Sequence, residues 1–173
     1  MITRRQLFQG LGTAGIASVG FGGYALAEPF GTTVTSYRLS PAGWPVGLKL
    51  KLAVLADLHA CSPWMDVERI EGIVAHVNSM KPDCIMLLGD FVAGHRLVRY
   101  AAAIPHQDWA DALGALRAPL GVHAVLGNHD WWEDEAVQQR RAGPTRVGLA
   151  LQHAGITLHE NTCLRLVKDG NPF

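Results

Sequence analysis

Short apolar runs alternate along this chain with segments whose apolar positions recur at helical spacing. Runs at 49–56, 84–88 and 122–126 have the length and residue types of buried strands. Between the first two runs, a helix is predicted over 66–80, with Asp66 as its N-cap. Its apolar face would be formed by Val67, Ile70, Ile73, Val74 and Val77. This alternation predicts an α/β fold.

The remaining pattern extends this prediction in both directions. An opening strand is expected at 32–39, helices at 109–117, 133–141 and 147–153, and strands at 156–159 and 163–167. Lys168-Asp169-Gly170-Asn171 is a hairpin-turn signal that should return the chain into a partner strand. Because the sequence stops at Phe173, we expect an unpaired edge strand and a fragment of a longer or split gene product.

Polar side chains stand at the carboxyl ends of the three strongest strands. They are Asp57, His59, Asp90, Asn128, His129 and Asp130. Open α/β sheets gather ligands and catalytic groups at that edge, so three strand ends can meet at one site. Carboxylate, imidazole and amide ligands suit hard or borderline divalent ions. Asp57 and His59, two residues apart on an extended segment, would share a face and one ion.

In this order, Asp57-x-His59, Gly89-Asp90 and Gly127-Asn128-His129-Asp130 resemble the calcineurin-like metallophosphoesterases over about 51–166. The resemblance implies Asp57 and His59 on a first metal, Asp90 bridging, Asn128 on a second, and His129 stabilising or protonating the leaving oxygen. It also implies the N-terminal part of a four-layer α/β/β/α sandwich with its second sheet incomplete.

The same resemblance implies the reaction. It would be metal-dependent phosphoester hydrolysis, with a phosphodiesterase as the expected type, using two divalent ions (manganese, iron or zinc) and a bridging hydroxide. The substrate would be a phosphoester, and analogy with exported relatives adds a lipid head group as one option.

The chain departs from the family pattern at two places. Where many members carry an acid that orients the catalytic His, this chain has Ala93, which leaves Asp130 as the sequence-based candidate for that role. No G-H-x-H follows His129, so the second ion would have fewer protein ligands than the first. The alternative function is therefore an inactive truncated fragment or a non-catalytic binding module of the same fold.

Two tryptophans directly follow the last motif. They could wall a substrate pocket or pack the start of a helix. The two interpretations are balanced for Trp131, and packing is favoured for Trp132.

The N-terminus predicts export. Arg4-Arg5 precedes an uncharged stretch at 10–27 that ends in Ala25-Leu26-Ala27, a small-residue cleavage site. Twin arginines in this setting indicate a signal at 1–27 read by the twin-arginine export machinery, with a mature domain at 28–173 in the periplasm. An uncleaved signal that anchors the chain in the membrane is the alternative.

Composition narrows the partners and the metal chemistry. The formal net charge is zero, so no basic surface is predicted and nucleic acid is not an expected partner. Three cysteines, Cys61, Cys84 and Cys163, form an odd set without C-x-x-C spacing, which indicates neither a disulfide framework nor a zinc ribbon.

Overall fold

A computed structural model describes residues 31–94 and 101–173. The helices and strands described below lie in the unit that begins at Arg38. The predicted signal at 1–27 lies outside the described residues. The strand predicted at 32–39 is not found, because residues 31–40 carry no regular secondary structure and are exposed.

In chain order the strands are β1 (Leu52–Leu55), β2 (Cys61–Ser62), β3 (Cys84–Leu87), β4 (Ala102–Ala103), β5 (Val122–Ala124), β6 (Thr157–Leu158), β7 (Val167–Lys168) and β8 (Asn171–Pro172). The main sheet is parallel and has the order β1-β3-β5-β6, whereas β2 pairs with β4 and β7 with β8 in antiparallel ribbons. The strands that carry the candidate site are therefore immediate neighbours, and their carboxyl ends share one edge of the sheet.

The helices are α1 (Val67–Ser79), α2 (His106–Leu113), α3 (Asn128–Trp132), α4 (Glu135–Arg140) and α5 (Arg146–His153). The first is as predicted, and Asp66 caps it by accepting a hydrogen bond from the N–H of Arg69. The second starts and ends three or four residues earlier than predicted. The helix predicted at 133–141 is found as the shorter α4, which begins after Asp134 because the carboxylate of that residue caps it by accepting the N–H of Val137. Among the described residues, no helix is long and apolar enough to cross a membrane.

The core lies on one face of the main sheet. Ile85 and Leu87 of β3 are buried with Trp109 and Leu113 of α2 and Leu151 of α5. Burial of these side chains is the main force that holds the helices on the sheet. The opposite face exposes four apolar residues, each with 40–53% of its surface accessible: Leu52, Val54, Leu88 and Val125.

The predicted C-terminal hairpin forms, and its strand has a partner within the chain. Backbone hydrogen bonds of 3.0 and 2.9 Å join Leu166 and Phe173 beyond the β7–β8 pair. Lys168 fixes the hairpin to the main sheet through the Asp83 carboxylate, at 2.6 Å, and the Lys49 carbonyl, also at 2.6 Å. The expectation of an unpaired edge strand at 163–167 is therefore wrong, since 163–166 has no strand and Val167–Lys168 pairs with residues 171–172.

Candidate metal centre

The loops that follow β1 and β3 continue side by side beyond the sheet. The N–H of Asp57 donates to the Gly89 carbonyl at 3.0 Å, and the N–H of His59 donates to the Asp90 carbonyl at 3.0 Å. These bonds extend the parallel pairing past the last strand residues. They bring the Asp57-x-His59 segment and the Gly89-Asp90 segment, 30 residues apart in sequence, into one place.

Three candidate ligands have unusual backbone conformations. Asp57, His59 and Asp90 have φ values of 54°, 46° and 54°, in the left-handed region that side-chain-bearing residues rarely adopt. Each such residue costs on the order of 1–3 kcal/mol and persists only where its surroundings determine it. Strain of this kind concentrates at functional sites, and three of the seven described non-glycine residues with positive φ are these candidate ligands. The prediction that Asp57 and His59 lie on an extended segment is therefore wrong.

The ligand atoms of Asp57, His59 and Asp90 all lie within 4.8 Å of one another. His59 Nδ1 lies 3.0 Å from the Val92 carbonyl, which can only accept, so Nδ1 donates this hydrogen bond and Nε2 is the nitrogen left for an ion. That Nε2 lies 3.8 Å from Oδ1 of Asp57. A ligating histidine typically has this arrangement, with one ring nitrogen donating to a carbonyl and the other free for the ion. The donor set therefore fits a divalent cation.

Two glycines allow the third strand end to reach this cluster. A Cβ on Gly89, whose φ is +89°, would stand 2.1 Å from the Gly127 nitrogen, and a Cβ on Gly127 would stand 2.2 Å from Oδ1 of Asp90. The same Oδ1 accepts the N–H of His129 at 2.9 Å. Asn128, exposed at the start of α3, lies between these two contacts.

Asp130 is buried, with 1% of its surface exposed, and it joins the last two strand-end loops. Its carboxylate accepts N–H groups from Gly127 at 2.8 Å, Asp90 at 2.9 Å, Phe91 at 2.9 Å and Val92 at 3.4 Å. Burial raises the pKa of Asp130, and these four hydrogen bonds act in the opposite direction without cancelling it. The carboxylate thus holds the backbone around Asp90, a position that the sequence pattern did not indicate.

The ring of His129 faces groups that sequence analysis had not assigned to it. Its Nδ1 lies 3.4 Å from Oε1 of Glu133, and its centroid lies 5.2 Å from that of His59. The sequence did contain a signal for this contact: Glu133 follows His129 by four residues, and that spacing places two side chains on one face of a helix.

The indole of Trp132 stands edge-on to His129 at 5.8 Å, with 62% of the tryptophan exposed. The packing interpretation favoured for Trp132 is wrong. Trp131 is partly buried. Gly143 lies beside its ring, since a Cβ on Gly143 would stand 3.6 Å from the Trp131 indole.

A parallel α/β sheet with carboxylates and imidazoles at consecutive strand ends makes this edge of the sheet a candidate metal centre. The sequence profile of the calcineurin-like phosphoesterases matches residues 50–167, and the chain belongs to that family. This family is enzymatic, and metal-dependent phosphoester hydrolysis is the reaction that membership suggests.

The curated relatives are longer than this chain. An uncharacterized metallophosphoesterase of Aquifex aeolicus is 30% identical over 112 residues, which cover 64% of this chain and 40% of that protein. The uncharacterized metallophosphoesterase YkuE of Bacillus subtilis is 29% identical over 136 residues, covering 75% and 45%. A transmembrane protein with a metallophosphoesterase domain from Bos taurus is 30% identical over 86 residues, covering 50% and 18%. The chain thus matches less than half the length of these relatives. No solved structure matches it significantly.

Proposed function

We propose that this chain supplies the metal-binding strand ends of a phosphodiesterase that uses two divalent ions. The observation that carries the proposal is the convergence of Asp57, His59 and Asp90, whose ligand atoms lie within 4.8 Å of one another at neighbouring strand ends. Two carboxylates so close together repel each other, and a cation between them removes the repulsion. Capping of the two strands that precede these residues gives no reason for this convergence.

Each residue has a distinct task in the proposed reaction. Asp57 and His59 would hold the first ion, Asp90 would be shared by the two, and Asn128 would hold the second through its amide oxygen without adding negative charge. The ions, when bound, supply charge neutralisation at the phosphoryl group and activation of the attacking water. His129 donates a hydrogen bond or a proton to the leaving oxygen.

The substrate side of the proposal concerns the leaving group. Because His129 acts on the leaving oxygen, the exposed indole of Trp132 beside it would contact the leaving group itself. A flat or apolar leaving group gains most from such a surface. The proposed substrate is a phosphodiester with such a leaving group, and a lipid head group is a second substrate to test.

Localisation forms part of the same proposal. Arg4-Arg5 and Ala25-Leu26-Ala27 support export through the twin-arginine machinery to the periplasm. Replacing both arginines with lysine should retain a reporter fused after Phe30 in the cytoplasm. If the fusion still reaches the periplasm by that pathway, the twin-arginine assignment is wrong.

The test of the metal site is a calorimetric titration of the full chain with Mn²⁺. We expect binding in the unmodified chain and its loss in Asp90→Asn, because the central carboxylate is shared by both ions. Asp108→Asn, an exposed acid in the first turn of α2, is the matched control and should bind as the unmodified chain does. Equal Mn²⁺ affinity in Asp90→Asn and the control would overturn the assignment.

Hydrolysis of bis(4-nitrophenyl) phosphate separates the enzyme from a binding module. Turnover that requires Mn²⁺ and disappears in His129→Ala supports the phosphodiesterase. Mn²⁺ binding without turnover would favour the alternative, a non-catalytic module of the same fold. A vesicle-borne phosphodiester lipid assayed in parallel decides whether a lipid head group is accepted.

A further inference from the structure

The side chains of His129 and Glu133 form a pair at the edge of the metal centre. Nδ1 of His129 lies 3.4 Å from Oε1 of Glu133, one helical turn further along the chain. Both side chains are partly shielded, with 29% of His129 and 17% of Glu133 accessible. Catalytic hydrogen bonds are often this long before substrate binds and shorten in the reacting complex.

The backbone on both sides holds this pair in place. Gly94 lies directly against it, since a Cβ there would stand 2.7 Å from Nδ1 of His129 and 3.4 Å from Oε1 of Glu133. The Glu133 N–H donates to the His129 carbonyl at 3.0 Å, and the Glu133 carbonyl accepts from Arg146 at 3.3 Å. The contact between the two side chains is therefore built into the packing of the loop after β3 against α3.

Asp134, the next residue, holds the C-terminal end of α3 in place through hydrogen bonds to the backbone. Its carboxylate accepts the N–H groups of Val137 at 3.3 Å and Arg146 at 2.8 Å. Burial by itself would raise the pKa of Asp134, but these bonds and the nearby arginine charges outweigh it and hold the pKa below its ordinary value. Asp134 is thus an ionised anchor immediately beside Glu133.

We propose that Glu133 is the positioning residue for His129, the role that sequence analysis had offered to Asp130. Both oxygens of Asp130 already accept backbone N–H groups, and the residue three positions after Asp90 is Ala93, which cannot accept a hydrogen bond from an imidazole. Glu133 accepts the Nδ1–H of His129 and fixes the ring plane and the tautomer. The other nitrogen, Nε2, then faces the leaving-group oxygen, and it donates there when the ring carries a proton on both nitrogens. This inference rests on the proposed function.

The first test reads the tautomer directly and needs no turnover. Long-range ¹⁵N NMR of the imidazole in the metal-free full chain, recorded at a pH where the ring carries a single proton, should show that proton on Nδ1 of His129. Glu133→Ala should shift a large fraction of the ring to the Nε2–H form, whereas Glu133→Gln, which keeps an acceptor oxygen, should retain most of the original form. Glu135→Gln, an exposed acid in the first turn of α4, is the matched control and should change nothing.

Two results would overturn the positioning role. One is a His129 ring with its proton on Nε2 in the unmodified chain. The other is a tautomer fraction that does not change in Glu133→Ala, although the amide spectrum shows that this variant is folded. If Glu133→Ala does not fold, Glu133→Gln is compared with Glu133→Asp. Glutamine keeps an acceptor oxygen at the same distance, whereas aspartate moves it away. The tautomer fraction should differ between these two variants only if Glu133 acts as the acceptor.

The second test separates this inference from the proposed function. In the Mn²⁺-dependent assay, Glu133→Ala should lower kcat about 10- to 100-fold with KM nearly unchanged, which is typical for removing a group that orients a reacting side chain. Turnover that survives Glu133→Ala undiminished would contradict the inference and leave the hydrolase standing. A tautomer shift in a chain without any turnover would contradict the hydrolase and leave the pairing standing.

Discussion

Replacement of Asp130 by asparagine is the sharpest test of how the metal centre is supported. The two side chains have the same shape, but an amide offers one oxygen where the carboxylate offers two. In the structure Oδ1 accepts from Phe91 and Val92, and Oδ2 accepts from Asp90 and Gly127. Whichever way the amide is oriented, its NH₂ group faces two backbone N–H donors that then have no acceptor.

The magnitude follows from these counts. Each buried N–H left without an acceptor costs about 1–3 kcal/mol. Two such groups cost roughly 2–6 kcal/mol, and the neutral amide recovers a part because its burial is less unfavourable than that of a charge. We expect a net loss of about 2–4 kcal/mol, a large fraction of the ~5–15 kcal/mol by which a domain is usually stable.

Urea unfolding followed by circular dichroism measures this loss. With a slope of about 2 kcal/mol per molar urea, the midpoint should fall by roughly 1–2 M at an unchanged slope. Mn²⁺ affinity should fall with it, because the same N–H groups fix the backbone of Asp90. Asp108→Asn, exposed on α2, is the control and should stay within about 0.5 kcal/mol of the unmodified chain.

Two results would refute this reasoning. A destabilisation below about 0.5 kcal/mol with Mn²⁺ affinity intact would show that the four hydrogen bonds do not hold the loops together. A fully stable variant whose His129 tautomer changes would instead return to Asp130 the orienting role that the sequence had suggested.

Three further predictions concern other parts of the chain. Gly127→Ala should abolish Mn²⁺ binding in calorimetry, because its Cβ would stand 2.2 Å from Oδ1 of Asp90, whereas Gly72→Ala, with open space around the new methyl group, should bind normally. Asp83→Asn should lower the free energy of unfolding by about 1 kcal/mol or less at pH 7, by releasing Lys168. The hydrogen bond from Lys168, and after it that from the Lys51 N–H, lowers the folded-state pKa of Asp83. The stability difference between the two chains in urea unfolding should therefore be full above pH ~4 and vanish as the pH falls through the lowered pKa. A stability difference that is independent of pH would contradict this prediction. Trp132→Ala should raise KM for aryl phosphodiesters more than for alkyl ones, and equal effects on both would remove the indole from the leaving-group side.

The sequence alone predicted the features that depend on local pattern. The strands before Asp57, Asp90 and Asn128 are apolar runs between breaks, and α1 follows a helical period with its cap at Asp66, so both could be read without tertiary information. Parallel strands in adjacent positions present their ends at one edge, and this general property was enough to gather the candidate ligands. Their individual metal roles stay predictions until binding is measured.

Only the tertiary structure decided the support around those residues, since its contacts join segments far apart in the chain. Asp130 accepts hydrogen bonds from Asp90 and Phe91, about 40 residues earlier, and periodicity carries no information on such partners. The hairpin strand at Val167–Lys168 pairs with Asn171–Pro172, although the stop of the sequence at Phe173 had suggested an open edge. Exposure of Trp132 depends on how α3 packs against its neighbours. Local propensity fixes which side chains stand at a strand end, whereas packing fixes what each of them contacts.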